Sequence, residues 1–383
     1  MKRNIRLFYF FNFLLDFRLY GPIAVLYFAD ITGSFALAMS VFSVVYISQA
    51  AMEVPTGVLS DYIGRRNTLI LGTFCSFLGI IFYALGLNIW VLAIGAFLGG
   101  TARALFSGTT NALLYESMKE EGQEARYHEV LGKTSSMFQW ALGISATLGG
   151  IVAFHSMALA VWISVIPQFL CFLLCWWFEE PHHVVRTQEP ITRTLYTALR
   201  EFKKNRKLRL ISLADILSFS FGEAMHEFQA AFYKMLIPVW AIGFIRAFSN
   251  IFAGLSFWFA GKVIDYTGHG RALIGGSVYS TLVSFIALIF PTPLSPLLMT
   301  TTSLSFGVAM TSRGDLMNRE FTDQQRATMG SVVSLLSSIC YAVVAVGIGY
   351  VADLTGPIQA MLLALSSNVI VIYIYWVLFR KKD

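Results

Sequence analysis

From residue 6 to residue 379 the chain is a succession of apolar runs, each long enough to cross a lipid bilayer. A spanning helix takes about 20 apolar residues. The runs fall near 6–29, 35–59, 68–87, 89–117, 129–154, 157–178, 209–232, 235–262, 271–290, 293–317, 327–351 and 357–379. Membrane β-strands are about half that length and alternate apolar with polar residues; these runs do neither. Lipid offers backbone N–H and C=O groups no partner, so each run must close its own hydrogen bonds as a helix. Charged residues make up only 13% of the chain, against about 25% in soluble domains. The sequence therefore predicts an all-α membrane protein with twelve transmembrane helices.

The basic residues orient it. With the N-terminus in the cytoplasm, 23 of the 28 lysines and arginines fall in cytoplasmic segments. Lys234 alone falls in an outer loop, and Arg18, Arg103, Arg246 and Arg313 fall inside spans. That bias is the positive-inside signal of a membrane protein with both termini cytoplasmic. It accounts for the net charge of +6 through topology and anionic lipid, and removes nucleic acid as a partner. The basic, apolar start resembles a signal peptide, but no small-residue cleavage site closes it, so it reads as an uncleaved first helix. Short loops and the lack of a transit signal point to a prokaryotic cytoplasmic (inner) membrane.

The longest polar segment, 179–208, separates the runs six and six. It divides the chain into an N-terminal bundle (1–178), a linker, and a C-terminal bundle (209–383). Within the linker Ile191, Leu195, Leu199 and Phe202 recur at helical spacing among basic residues, which fits a short helix on the inner membrane surface or a solvated tether. His182 and His183 read as a solvated pair. Cys75, Cys171, Cys175 and Cys340 all lie in apolar runs without metal-ligand spacing, so they read as packing residues, and no metal or cofactor is expected.

Between the second and third runs stands GVLSDYIGRR, Gly57 to Arg66; between the eighth and ninth stands GKVIDYTGHGR, Gly261 to Arg271. Gly57, Asp61, Tyr62 and Gly64 return as Gly261, Asp265, Tyr266 and Gly268, each 204 residues on. Arg103 has a rough counterpart in Arg313. Two six-helix halves with matching loops imply an internal duplication. Such pseudo-symmetric repeats are a transporter architecture, with the binding site between halves near the bilayer midplane.

The first loop resembles the GxLaDrxGrr signature of the major facilitator superfamily, and the topology extends that resemblance over the chain. The second copy keeps Gly261, Asp265, Gly268 and Arg271 but has His269 and Gly270 where basic residues are usual. Physically, Gly57 and Gly64 allow close approach and a sharp turn. Asp61 can face a helix N-terminus, and Arg65 and Arg66 can pair with carboxylates or lipid phosphates. The resemblance implies a conformational latch on the inner face, acting against the eleventh helix. A tight turn with topogenic arginines is the plainer reading, compatible with it. EVPTG (Glu53 to Gly57) and SGTTNALLYES (Ser107 to Ser117, with Glu116) resemble bacterial multidrug-efflux members. SATLGG (Ser145 to Gly150) keeps the glycines of the antiporter pattern GPxxGG and lacks its proline, which removes the expected kink.

Ionisable residues inside spans are costly and mark function. Asp16 lies near the centre of the first span with Asn12 one turn before it; Gly21 and Pro22 can bend that helix. Arg103 lies in the fourth span. An Asp16–Arg103 pair that breaks on protonation would couple proton movement to conformation; a permanent structural bridge is the alternative. The seventh span holds Asp215, Glu223, His226 and Glu227, and Glu223 with His226 complete the proton-coupling set. Arg246 suits Glu223 or Asp215 as a partner, and Arg313 and Asp315, two apart, need partners elsewhere. Asn12, Tyr20, Tyr46, Phe138, Trp140 and Arg313 are the candidate substrate contacts, because aromatic faces with carboxylates suit lipophilic cations.

These features favour a secondary active transporter working by alternating access, exporting lipophilic, cationic small molecules in exchange for protons. Its rival is a symporter importing a polar or anionic nutrient, which the intramembrane arginines would suit. A receptor-like membrane protein without flux is a reading of another class. No P-loop, Cys–His pair, metal cluster or nucleophile elbow argues for an enzyme. One chain holds both halves, so the expected working form is a monomer in membrane lipid.

Overall fold

The computed structural model describes residues 2–181, 205–320 and 323–380. The expected linker helix, with His182 and His183, lies outside the described residues. Within them the chain is helical and no strand occurs. The helices are α1 (Lys2–Asp16), α2 (Ala24–Thr32), α3 (Phe35–Ile63), α4 (Arg65–Leu85), α5 (Ile89–Phe106), α6 (Thr109–Glu120), α7 (Tyr127–His155) and α8 (Met157–Cys175). After the linker come α9 (Arg206–Lys234), α10 (Val239–Ile289), α11 (Ser295–Thr300), α12 (Ser303–Glu320), α13 (Asp323–Thr355) and α14 (Pro357–Phe379). Together they fall on all twelve apolar runs.

Three runs expected to be continuous are interrupted. The first breaks between Asp16 and Gly21, where a 3-10 turn, Gly21–Ile23, leads into α2. The fourth breaks at Ser107 and Gly108, and the tenth between Thr300 and Ser303. The eighth and ninth runs, α10 in the numbering above, are two helical stretches parted at Gly268, whose φ 76° and ψ 158° are not helical, as Gly64 parts α3 from α4. Eight helices are long and apolar enough to cross a membrane among the described residues. The first, seventh and tenth runs fall below that mark. The first is broken, and the other two carry charged residues that the sequence singles out.

The chain forms two compact units. One comprises Met1–Gly33, Ser40–Thr187 and Pro238–Ala247; the other comprises Ser34–Met39, Gln188–Ile237 and Phe248–Asp383. Each thus contains the opening turns of a helix from the other half of the sequence, and the two exchanged segments begin 204 residues apart. In the first unit, α10 enters on a glycine seat: a Cβ at Gly150 would lie 2.9 Å from the Gly243 Cα. In the second, Asp353 caps the start of α3, accepting from the Ser34 hydroxyl (2.5 Å), the Phe35 N–H (2.7 Å) and the Ala36 N–H (3.1 Å).

The core of the first unit joins Phe8 and Phe11 of α1 to Leu69, Leu113, Cys171, Cys175 and Phe178. Cys171 and Cys175 are buried there as packing residues. The core of the second joins Ile211 and Ala214 of α9 to Leu273, Leu316, Val371 and Tyr375.

Candidate functional site

The first signature loop is a braced polar cluster of the first unit. Gly64 adopts φ +90°, a conformation that carries little penalty in glycine and is strained in other residues. It turns the chain between α3 and α4. Arg65 then points back, with Nη1 3.1 Å from the Asp61 carboxylate and 2.8 Å from the Ser60 hydroxyl. Its Nε lies 3.9 Å from Glu116 at the end of α6. Both Arg65 and Glu116 are largely buried, with side chains 14% and 10% exposed.

The carboxylate at the helix N-terminus is not Asp61, as the sequence suggests, but Glu180. Its oxygens accept from the Arg65 N–H (2.6 Å) and the Arg66 N–H (2.7 Å), capping α4. A Cβ at residue 64 would sit 2.7 Å from that carboxylate, so Gly64 also makes room for the cap. The cap combines hydrogen bonds to unsatisfied helix donors with a favourable dipole. Arg66 donates to the Trp176 carbonyl (2.8 Å) and lies over the Trp176 ring. Asn4 links the N-terminus to the same place, donating to Ser117 and to the Glu179 carbonyl, each at 2.9 Å. Gly57 makes no close approach: nothing lies within 4 Å of where its Cβ would be.

The second copy is built differently. Gly268 again supplies the turn and Gly261, like Gly57, is open, but Asp265 forms no ion pair among the described residues. His269, standing where the first copy has Arg65, lies 3.0 Å from Asp315, which also takes Arg319 at 2.8 Å. Gly270, standing where the first copy has Arg66, is seated against the Phe379 ring. Arg271 is exposed.

Inside the membrane, Asp16 ends α1 at the break of the first span. Arg18 and Arg103 act on it electrostatically, but Asp16 forms no ion pair with either among the described residues. The expected Asp16–Arg103 bridge is therefore not formed here; the Arg103 guanidinium lies over the Tyr46 ring at 5.4 Å. The Asn12 amide donates to the Thr134 carbonyl of α7 at 3.0 Å. In the second unit Arg313 pairs with Asp215 at 3.3 Å, beside the Tyr375 hydroxyl, so Asp215 is joined to α12 rather than to Arg246. Glu223, His226 and Glu227 share α9. Tyr20 is buried with its ring edge-on to Tyr83, whereas Phe138 and Trp140 on α7 are exposed at 37% and 63%.

A sequence profile described as Major Facilitator Superfamily matches residues 7–345. The chain belongs to the major facilitator superfamily. An uncharacterized MFS-type transporter of Methanocaldococcus jannaschii is 22% identical over 334 residues, covering 85% of this chain and 82% of that one. An uncharacterized transporter of Buchnera aphidicola is also 22% identical, over 255 residues, and the matched region spans 56% of its length. Among solved structures, the nucleoside transporter NupG superposes with a TM-score of 0.85 at 13% identity, covering 98% of this chain and 99% of that one. The Escherichia coli fucose:proton symporter FucP superposes at 0.62 and 15% identity, covering 98% of each chain. At such identities the structural likeness speaks to fold. The family and its transporter relatives make this chain a multi-pass membrane transporter of small molecules, not an enzyme.

Sequence reasoning missed Glu180, Glu116 as the partner of Arg65, and the polar contacts that hold the break of the first span. Two of these left a visible trace. Glu179 and Glu180 stand where an apolar run stops, and Gln168 is a lone amide inside the sixth run.

Proposed function

We propose that the chain is a proton-coupled secondary transporter that works by alternating access and exports lipophilic, cationic small molecules. The observation that carries the coupling is Asp16, a carboxyl placed at the break of a membrane helix that forms no ion pair among the described residues. Two arginines act on it from a distance, so its charge is free to change without first breaking a bridge. A carboxyl of this kind binds or releases a proton as its surroundings change, and its two charge states favour different arrangements of the neighbouring arginines. Arg103, resting on Tyr46, is the group placed to answer that change, and Glu223 with His226 on α9 forms the second titratable group of the set. The exposed aromatic face of α7, with Phe138 and Trp140, supports a lipophilic cation as cargo.

Both signature loops serve as inner-face latches in this reading. The protein acts as a monomer in the cytoplasmic membrane, with both termini inside. A second reading, import of a polar or anionic nutrient, is favoured by Arg313, a guanidinium within a membrane span, paired with Asp215 and beside the Tyr375 hydroxyl, because a guanidinium can take a carboxylate or phosphate in place of its present partner.

The test is uptake of a panel of lipophilic cationic dyes into inside-out vesicles under an imposed pH gradient, for the wild type and Asp16→Asn. Accumulation in acid-loaded vesicles that the variant abolishes at equal expression supports proton-coupled export. Uptake unaffected by Asp16→Asn removes that residue from the coupling. Absence of cation movement under any gradient turns the assay to organic anions and Arg313→Gln.

A further inference from the structure

The break in the first span poses a problem that its own sequence does not solve. Interrupting a helix inside lipid frees backbone carbonyls before the break and N–H groups after it, and no water stands by to receive them. Two residues of α8 receive them instead. On α8, Gln168 is 1% exposed. Its amide nitrogen donates to the Leu14 carbonyl (3.1 Å) and the Leu15 carbonyl (2.8 Å). Its amide oxygen accepts from the Ser76 hydroxyl of α4 (2.8 Å), which fixes the amide's orientation. One turn earlier on α8, the Ser164 hydroxyl accepts the Leu19 N–H at 2.9 Å while donating to the Ala160 carbonyl at 2.7 Å. Both oxygen and nitrogen of Gln168 and both roles of the Ser164 hydroxyl are thus in use.

On α7, Gly149 completes the seat. A Cβ there would fall on the Leu19 carbonyl oxygen. This gives the glycine pair of SATLGG distinct tasks: Gly149 admits the broken backbone of the first span and Gly150 admits the start of α10. Arg18 adds a local contact, its Nε donating to the Leu15 carbonyl at 3.1 Å.

We propose that Gln168 and Ser164 are positioning residues for the Asp16 carboxyl: by holding the backbone on either side of it, they fix where the first span breaks and what Asp16 faces. The inference rests on Asp16 being the coupling group. The charged groups that act on Asp16 are Arg18 from its own segment and Arg103 from α5, and the Cys171 thiol lies near it from α8. Gln168 and Ser164 carry no charge, so their effect on Asp16 works through geometry.

The experiment uses the full chain, purified and reconstituted. Infrared difference spectra across a pH titration identify the Asp16 carboxyl as the C=O band lost in Asp16→Asn. Hydrogen exchange follows the segment 13–23. Gln168→Met keeps the length and loses the amide; Ser164→Ala removes one oxygen and carries the same test where Gln168→Met does not fold. The expected result is a midpoint of the Asp16 band moved by at least about half a pH unit. Exchange in 13–23 should rise by about tenfold, and exchange in α14 should stay unchanged. A raised exchange with an unmoved band overturns the positioning role and leaves Asp16 as the coupling group. A wild type with no titrating Asp16 band overturns the coupling reading, and the positioning role with it. A moved band with equal changes in α14 marks general loosening and also overturns the proposal.

Discussion

The two signature loops descend from one sequence pattern and have come to be held by different forces. The first is ionic and crowded: Arg65 reaches Asp61, Ser60 and Glu116, Glu180 caps the helix that follows, and Arg66 lies over Trp176. The second keeps the turn at Gly268 and replaces the rest. An imidazole stands for the first arginine and meets Asp315, and a glycine under the Phe379 ring stands for the second. Both tyrosines of the pattern stay outside, at 89% and 91% exposure. Duplication thus preserved what the backbone needs, a glycine at positive φ, and let the side-chain chemistry drift. Arginine is charged at any physiological pH, whereas histidine changes charge within that range. The two loops therefore meet their carboxylates through different groups, a guanidinium in one and an imidazole in the other.

Substitutions can sharpen or collapse this contrast. The largest effect should come from Arg65→Ala, which strands the largely buried Glu116 without its cation. We expect a loss of roughly 2–3 kcal/mol in thermal melts of the purified protein, partly recovered by adding Glu116→Gln. Full recovery by Glu116→Gln alone would reduce Arg65 to a means of neutralising that carboxylate. Glu180→Ala should cost about 1 kcal/mol and raise amide exchange at residues 65–68; unchanged exchange there would remove the cap from the list of restraints. Smaller still, His269→Arg, which sets the first loop's guanidinium against Asp315, should add roughly 0.5 kcal/mol in the same melts; a loss would show that the second loop does not accept the first loop's chemistry. Last, Asp61→Asn should cost about 0.5 kcal/mol through its exposed pair with Arg65, and Asp265→Asn should be neutral. Equal costs at the two aspartates would mean that the loops are braced alike.

How far the sequence could be read depended on the range of the interaction responsible. Helices in lipid are a local necessity, so the twelve runs were legible, as were the repeat and its turn glycines. The break at Asp16 was half legible: Gly21 and Pro22 mark a place where a helix bends, but the interruption begins before them, because Gln168 and Ser164 receive the freed backbone groups. Those partners lie about 150 residues away in sequence and follow no period. The cap on α4 was hidden for the same reason, since any acidic residue near the same end of the bundle is a candidate. The pair Asp16–Arg103 looked simplest on paper. In the fold, Arg103 is settled on Tyr46 and Asp16 is held apart at the end of its helix.

The exchange of segments between the two units bears on how the protein is made. The glycine seat on α7 is complete once residue 150 has been synthesised, yet its occupant begins at Pro238, roughly 90 residues later. At ~5–20 residues per second, the first unit waits roughly 5–20 s with that surface turned to lipid. Conversely, residues 34–39 emerge early and stand without the Asp353 cap until nearly the whole chain exists. Neither unit reaches its final form from its own half of the message. A chain severed in the linker should therefore yield two fragments that mature only when produced together, and a ribosome stalled before residue 238 should leave behind a bundle open at one helix, ready for the membrane's quality-control proteases.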